Sequence, residues 1–460
     1  MSAEGLEAAR SKMSEAGVQP QAIEVFTHYY HQLEEGVTGL IAEDSIDPLT
    51  DPPMLSAVEV SPEQAAEALG RTAIIKLNGG LGTSMGMEKA KSLLPVRGDQ
   101  TFLDLIVEQV RAARATYGAR LPLLFMNSFR TRDDTLAALA AYDDLPVDGL
   151  GLDFEQNLEP KLLTSDLTPV EWPADPTLEW CPPGHGDLYT TLEGSGILDR
   201  LLEQGYAYAS VSNSDNLGAA PDATIAGWFA ASGSPYAAEV CRRTPADRKG
   251  GHLAIRKSDG RLILRDTAQT APDEMHYFTD EHRHPFFHCN NLWFDLAAVS
   301  KVLKERKAVL GLPLIKNVKN VDPADASSPE VVQIESAMGA AIEVFAGATA
   351  IGVGRERFLP VKTTNDLMLL RSDVYDVTPE GRLDRVVDPA PLIDLDPKHY
   401  KTIARFDGHF PDGVPSLRGA ESLAVVGDWT FAGDVTVTGA ARLEDEGRPS
   451  TVPSGTVLDG

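Results

Sequence analysis

The chain is predicted to be α/β: a mixed, mainly parallel sheet flanked by helices on both faces, followed by a short C-terminal parallel β-helix. Two patterns predict this. Across roughly 70–380, short apolar runs alternate with stretches of helical spacing, and such alternation builds a parallel sheet with helical crossovers. From about 413 onward the apolar positions recur every six residues instead, the period of a parallel β-helix.

Taken in order, residues 1–45 show helical spacing, with Leu6, Met13, Ile23, Phe26, Tyr30 and Leu33 as buried contacts. A Pro/Asp-rich stretch at 46–53 follows, so 1–53 is read as a helical appendage with its linker. In the α/β region, 54–385, the runs AIIKL (73–77), PLLFM (122–126), YASV (208–211) and AAEVC (237–241) read as strands. Between the first two, 101–118 has helical apolar spacing, with Thr101 and Asp104 placed to cap its first turn. HLAIRKSDGRLIL (252–264) reads as a hairpin turning at Ser258-Asp259-Gly260. The remainder, 386–460, is a linker and the six-residue repeat. Leu417, Leu423, Trp429, Val435 and Ala441 form one series; Val425, Phe431, Val437 and Leu443 form another. About two and a half triangular turns fit there.

Composition removes several function classes. With 43% hydrophobic and 24% charged residues the chain is globular, not disordered. Its longest apolar runs, such as LPLLFM at 121–126, fall far short of the roughly 20 residues of a membrane span. No secretory signal is visible at the start, and Cys181, Cys241 and Cys289 have neither metal-ligand spacing nor an even disulfide set. These features predict a cytoplasmic protein. A formal net charge of −27 speaks against nucleic acid or an anionic membrane as partner, because phosphate backbones are bound by basic surface. A polyanionic small molecule would have to be neutralised locally.

The stretch 72–96 offers such a place. An apolar strand runs into Asn78-Gly79-Gly80-Leu81-Gly82-Thr83, and Lys89 and Lys91 follow. Glycine lets backbone approach a ligand closely, successive N–H groups make a concave anion site, and strand ends are where open α/β sheets bind. The spacing matches neither GxxxxGK[ST] nor GxGxxG.

Six blocks in order now carry a resemblance: KLNGGLGTSMG (76–86), LLFMNSFRTRDDT (123–135), PPGHGDLY (182–189), VSNSDNLGA (211–219), NNLWFDL (290–296) and FLPVKTTNDL (358–367). Together they resemble the eukaryotic-type UTP–glucose-1-phosphate uridylyltransferases. The resemblance implies a nucleotidyltransferase-like, Rossmann-like sheet with a C-terminal β-helix, UTP and glucose 1-phosphate as substrates, and Mg²⁺ as cofactor. It further implies that Leu77, Asn78, Gly79, Gly80, Lys91, Gln156, Gly184, Asn213, Asp215 and Lys362 bind UTP. Gln156 would read the uracil edge, its amide offering both donor and acceptor. Gly80, His185, Asn213, Asp266, Asn290 and Asn291 would hold the sugar phosphate, with buried core amides an equal alternative for the two last. Asp215 would hold the metal, and Lys362 and Lys91 would be catalytic.

Two positions depart from the family pattern. Lys89-Ala90 precede Lys91 where the family usually has Gly-Pro, so either lysine could contact phosphate; Asp266 stands where the family tends to carry glutamate. Rival readings are a related pyrophosphorylase acting on N-acetylhexosamine 1-phosphate or on several sugar 1-phosphates, and a silent nucleotide-sugar sensor. Unpaired backbone at a β-helix end invites self-pairing, so homo-oligomer and monomer both stay open.

Overall fold

The computed structural model describes residues 2–244, 247–248 and 250–460. Seven strands make the central sheet: β1 (Thr72–Asn78), β2 (Leu123–Asn127), β3 (Asp153–Glu155), β4 (Tyr208–Asn213), β5 (Tyr236–Arg242), β6 (Phe286–Asp295) and β7 (Thr349–Val353). Their spatial order is β7-β5-β6-β4-β1-β2-β3. All pairings are parallel except those of β6, which runs antiparallel to both neighbours. The sheet is therefore mixed, as expected.

Alternation along each strand sends its residues to two cores. Ile74, Leu123, Phe125, Ala237 and Trp293 belong to one. Ala73, Ile75, Leu77, Leu124, Met126, Ala238 and Phe294 belong to the other. A strand buried on both faces reads as a continuous apolar run, which is why AIIKL was legible. The first core is closed by helices Pro62–Gly70, Phe102–Tyr117, Ala223–Ser232 and Thr364–Arg371. Helix Phe102–Tyr117 starts at the capping box read from sequence: Asp104 N–H donates to Thr101 Oγ1 at 3.2 Å, and Thr101 N–H donates to Asp104 Oδ2 at 2.8 Å.

The N-terminal helices Ser2–Glu15 and Pro20–Glu34 form as expected. Met13, Phe26, Tyr29 and Tyr30 lie in the same core as Ile75 and Leu77, so these helices cover a face of the sheet. The stretch 46–53 differs from a plain linker. Ile46–Pro48 is a strand pairing with His252–Arg256, because Ile46 buries itself against Ala254 and Ile263. The hairpin turns where expected, with Gly260 at φ +70° and Arg256 N–H donating to Arg261 O at 2.8 Å.

The C-terminal strands Leu392–Leu395, Ser416–Val425, Thr436–Leu443 and Val457–Asp459 form one parallel sheet. Leu423 pairs with Ala441 and Val425 with Leu443, three six-residue steps along the chain. Leu417, Leu423, Phe431 and Val437 are fully buried, and they join the first core of the central sheet. The three cysteines are free and buried. Among the described residues no helix is long and apolar enough to cross a membrane.

Candidate active site

Strands β1 and β4 run side by side, with Leu77 opposite Asn213, so the loops leaving their carboxyl ends share one cleft. Asn78 knots these ends together. Its Nδ2 donates to Asn127 Oδ1 at 2.8 Å and Thr135 Oγ1 at 2.9 Å, and its Oδ1 accepts from Ser214 Oγ at 3.0 Å. With the side chain committed, Asn78 has only backbone to offer the cleft. Leu77 O accepts from Ser214 N–H at 3.0 Å and completes the knot.

A Cβ on Gly79 would stand 2.3 Å from Gln156 Oε1. Glycine there lets the Gln156 amide lie flat against the loop. Gln156 Nε2 in turn donates to Gly184 O at 2.9 Å. Gly184 adopts φ +78° and ψ 175°, a region essentially reserved for glycine. Gly79, Gln156 and Gly184 thus form one corner. Gly80 is exposed, and a Cβ there would meet nothing within 4 Å.

Opposite that corner, Lys91 Nζ lies 2.5 Å from Asp215 Oδ2 and also donates to Val361 O. One ammonium therefore joins the glycine-rich loop, the end of β4 and the 358–363 segment. Lys89 is exposed, so it is Lys91 that the fold brings to Asp215. Lys362 has an exposed side chain, and its backbone is fixed: the amides of Lys362 and Thr363 each donate to Asp366 Oδ2 at 2.8 Å. Asn290 Nδ2 donates to Asn213 Oδ1 at 3.1 Å, with Asn290 in the left-handed region at φ +58°. Asparagine tolerates that conformation better than most residues. His185 Nδ1 accepts Met338 N–H at 3.0 Å, which leaves the ring proton on Nε2. Burial lowers its pKa, partly offset by Asp266, so the ring is a neutral donor. Asp266 itself accepts Thr267 N–H at 2.8 Å in a local cap.

This chain matches the family model described as UTP–glucose-1-phosphate uridylyltransferase over residues 23–438. The chain belongs to that family. It is 38% identical over 412 residues to the UTP–glucose-1-phosphate uridylyltransferase of Solanum tuberosum, covering 88% of this chain and 83% of that one. A crystal structure of UDP-glucose phosphorylase from Trypanosoma brucei superposes with a TM-score of 0.92 at 41% identity, covering 99% of this chain and 98% of that chain. A mutant of the Leishmania major UDP-glucose pyrophosphorylase, solved in complex with UDP-glucose, superposes with a TM-score of 0.92 at 38% identity and the same coverage.

Within the uridylyltransferase-family cleft one expected residue does not arrive. Asn291 is buried on the opposite face of the sheet, where Nδ2 donates to Glu239 Oε2 at 3.0 Å and Oδ1 accepts from Asn216 Nδ2 at 3.1 Å. Glu239 also accepts from Trp293 Nε1 and pairs with Arg357 at 2.6 Å. Asn291 is thus the buried core amide that sequence left as its alternative. Asn290 instead donates to Asn213, so the two neighbouring amides stand in different environments.

His288 is a neighbour of the candidate site that the sequence did not single out. It lies two positions before Asn290 in β6, close enough to His185 that protonating both rings is disfavoured, and its Nε2 is buried without a hydrogen-bond partner. The signal available was the period-two spacing of His288 and Asn290. Burial, then His185, pushes its pKa down to about 4. The folded ring stays neutral while the unfolded ring takes a proton below its ordinary 6.5, so stability is lost as pH falls from about 6.5 toward 4. Asn290 N–H donates to His288 Nδ1 at 3.3 Å; the His288→Gln variant keeps an acceptor for it and takes no proton. Its thermal midpoint should fall less between pH 7 and 5 than that of the wild type, by on the order of 2 kcal/mol of stability. Parallel melting curves check this; identical pH slopes would refute it.

Proposed function

We propose that this chain transfers the uridylyl group of UTP to glucose 1-phosphate, giving UDP-glucose and pyrophosphate reversibly, by one in-line displacement without a covalent intermediate. The observation that carries the reading is the convergence of Lys91, Asp215 and the Lys362 segment beside the glycine-rich loop. The two solved relatives, one of them a UDP-glucose complex, support it across nearly the whole chain.

The attacking oxygen of a sugar phosphate is already anionic, so no general base is needed. That agrees with a neutral His185 presenting Nε2–H, suited to donate to the sugar phosphate. Gln156 and Gly184 hold the uracil edge, and the backbone of Leu77 to Gly80 flanks the ribose and phosphates. Asn213 and Asn290 hold sugar hydroxyls. Asp266 is a weaker candidate for that role, since its carboxylate caps its own turn. Lys91 exchanges Asp215 for a phosphate oxygen, and Lys362 meets the α-phosphate as its charge shifts. Pre-positioning of two anions supplies about 7–11 kcal/mol in favourable cases.

Asp215 fits the single-carboxylate pattern of Mg²⁺ sites completed by substrate phosphates and water: it already faces a cation in the cleft. Mg²⁺ when bound supplies positive charge against the phosphate oxygens. The parallel C-terminal sheet, with its six-residue burial pattern, is read as the side of a short β-helix.

The test is pyrophosphate release with a panel of nucleoside triphosphates and sugar 1-phosphates in Mg²⁺. UTP with glucose 1-phosphate should exceed every other pair by at least tenfold. Equal rates with N-acetylhexosamine 1-phosphate, or UDP-glucose binding without turnover, would overturn the proposal.

A further inference from the structure

Away from the cleft, three metal-ligating side chains converge where the helical turns 397–409 meet the C-terminal sheet. His399 lies in Pro397–Tyr400, His409 ends helix Ile403–His409, and Asp428 precedes strand Trp429–Phe431. One ligand atom from each lies within 4.8 Å of the other two. His409 Nε2 is 2.9 Å from Asp428 Oδ1, and His399 Nδ1 is 3.8 Å from Asp428 Oδ2. All three residues are part-buried.

The hydrogen bonding of His409 suits a metal ligand. Its Nδ1 lies 2.6 Å from Arg405 O. A carbonyl oxygen only accepts, so the ring proton is on Nδ1. A neutral ring then turns the bare lone pair of Nε2 onto a carboxylate oxygen at 2.9 Å. Such a contact is held together either by a second ring proton or by a cation shared between the two atoms. A ring N–H donated to a backbone carbonyl, with the other nitrogen free, is also the usual orientation of a metal-bound histidine. The distance from His399 to Asp428 exceeds a hydrogen bond. Ligands around tetrahedral zinc, with bonds of about 2.0–2.1 Å, stand about 3.3 Å apart, between the two separations seen here.

The frame is rigid before any ion enters. Tyr400, beside His399, donates its hydroxyl to Trp429 O at 2.6 Å and accepts Trp429 N–H at 3.2 Å. Its ring packs 4.7 Å from that of His409. Asp428 O accepts Ser450 N–H at 2.8 Å.

We propose that His399, His409 and Asp428 form a zinc site that clamps the 397–409 helices to the C-terminal sheet, with a fourth position open to water. Two imidazoles and one carboxylate favour Zn²⁺ over the oxygen-seeking Mg²⁺ or Ca²⁺. The clamp reaches toward the nucleotide loop: Thr402, between the two histidines, packs so closely on Gly86 that a Cβ there would stand 3.1 Å from Thr402 Cβ.

The test uses the full-length, untagged chain, stripped with chelator and titrated with ZnCl₂ by calorimetry, with thermal midpoints read in parallel. The wild type should bind one Zn²⁺ per chain and melt several degrees higher with zinc than without. Asp428→Asn, which keeps the side-chain shape, should weaken zinc binding at least tenfold and lose the midpoint shift, and His409→Gln should do the same. Chelated wild type reports the fold without metal, so misfolding of a variant is recognised separately. Zinc binding unchanged in both variants, or a wild-type midpoint indifferent to zinc, would overturn the proposal.

Discussion

Lys362→Ala should lower turnover by about 10²–10³-fold, the scale seen when one pre-aimed donor to a developing charge is removed, while UTP affinity changes by no more than a few-fold. The fold supports a clean experiment. The Lys362 side chain is exposed, and the backbone around it is held by Asp366 through the amides of Lys362 and Thr363, not through the ammonium. Truncation therefore removes a charge and leaves the helix start at Thr364 intact. The charge lies next to Val361, whose carbonyl is bound by Lys91, so the fold sets the two proposed phosphate contacts side by side on different elements. An interaction made chiefly in the transition state lowers kcat and kcat/KM together. Steady-state kinetics with UTP titrated by calorimetry separates the terms. An equal loss in binding and turnover would reduce Lys362 to a binding residue.

Gly184→Ala should raise the KM for UTP at least tenfold and lower the thermal midpoint by a few degrees. Two independent causes add. The backbone at φ +78° and ψ 175° costs a non-glycine residue about 1–3 kcal/mol. The new Cβ would also stand 2.7 Å from the backbone oxygen of Ser336, and backbone cannot swing aside as a side-chain tip can. That backbone is itself tied in, since Ser336 O accepts Gly186 N–H at 2.8 Å and Ser336 N–H donates to Pro183 O at 3.0 Å. Relief must come from moving Gly184, whose carbonyl orients Gln156. Kinetics and melting of the purified variant check both effects. A variant with unchanged KM for UTP would remove Gln156 and Gly184 from the nucleotide pocket.

Much of this was legible beforehand because it depends on local pattern. The apolar run of β1, the capping box at Thr101, the hairpin turn at Gly260 and the six-residue burial of the C-terminal strands each follow from spacing within a few residues. The glycine-rich loop was visible as a loop, and the family blocks supplied candidate roles. Harder to see was which of two adjacent residues faces the cleft. Lys89 and Lys91 are equivalent in sequence, yet only Lys91 meets Asp215. Asn290 and Asn291 look alike, yet the left-handed turn at Asn290 and the opposite facing of Asn291 send them to different environments. His288 drew no attention because a histidine in an apolar strand is ordinarily core.

The strand at Ile46–Pro48 shows the same limit in the fold itself. Its Pro/Asp composition reads as linker, and only the distant hairpin at 252–265 gives it a partner. Periodicity, turn chemistry and the ordered blocks were enough by themselves to determine the α/β class, the six-residue C-terminal pattern and the family. Tertiary structure alone decided that Asp215 shares its carboxylate with Lys91, that Asn78 is spent on holding three strand ends, and that His399, His409 and Asp428 meet. The reason is physical: backbone conformation and burial answer to neighbours a few residues away, whereas a carboxylate, an ammonium or an imidazole takes its role from charges and lone pairs brought close by chain segments far apart in sequence.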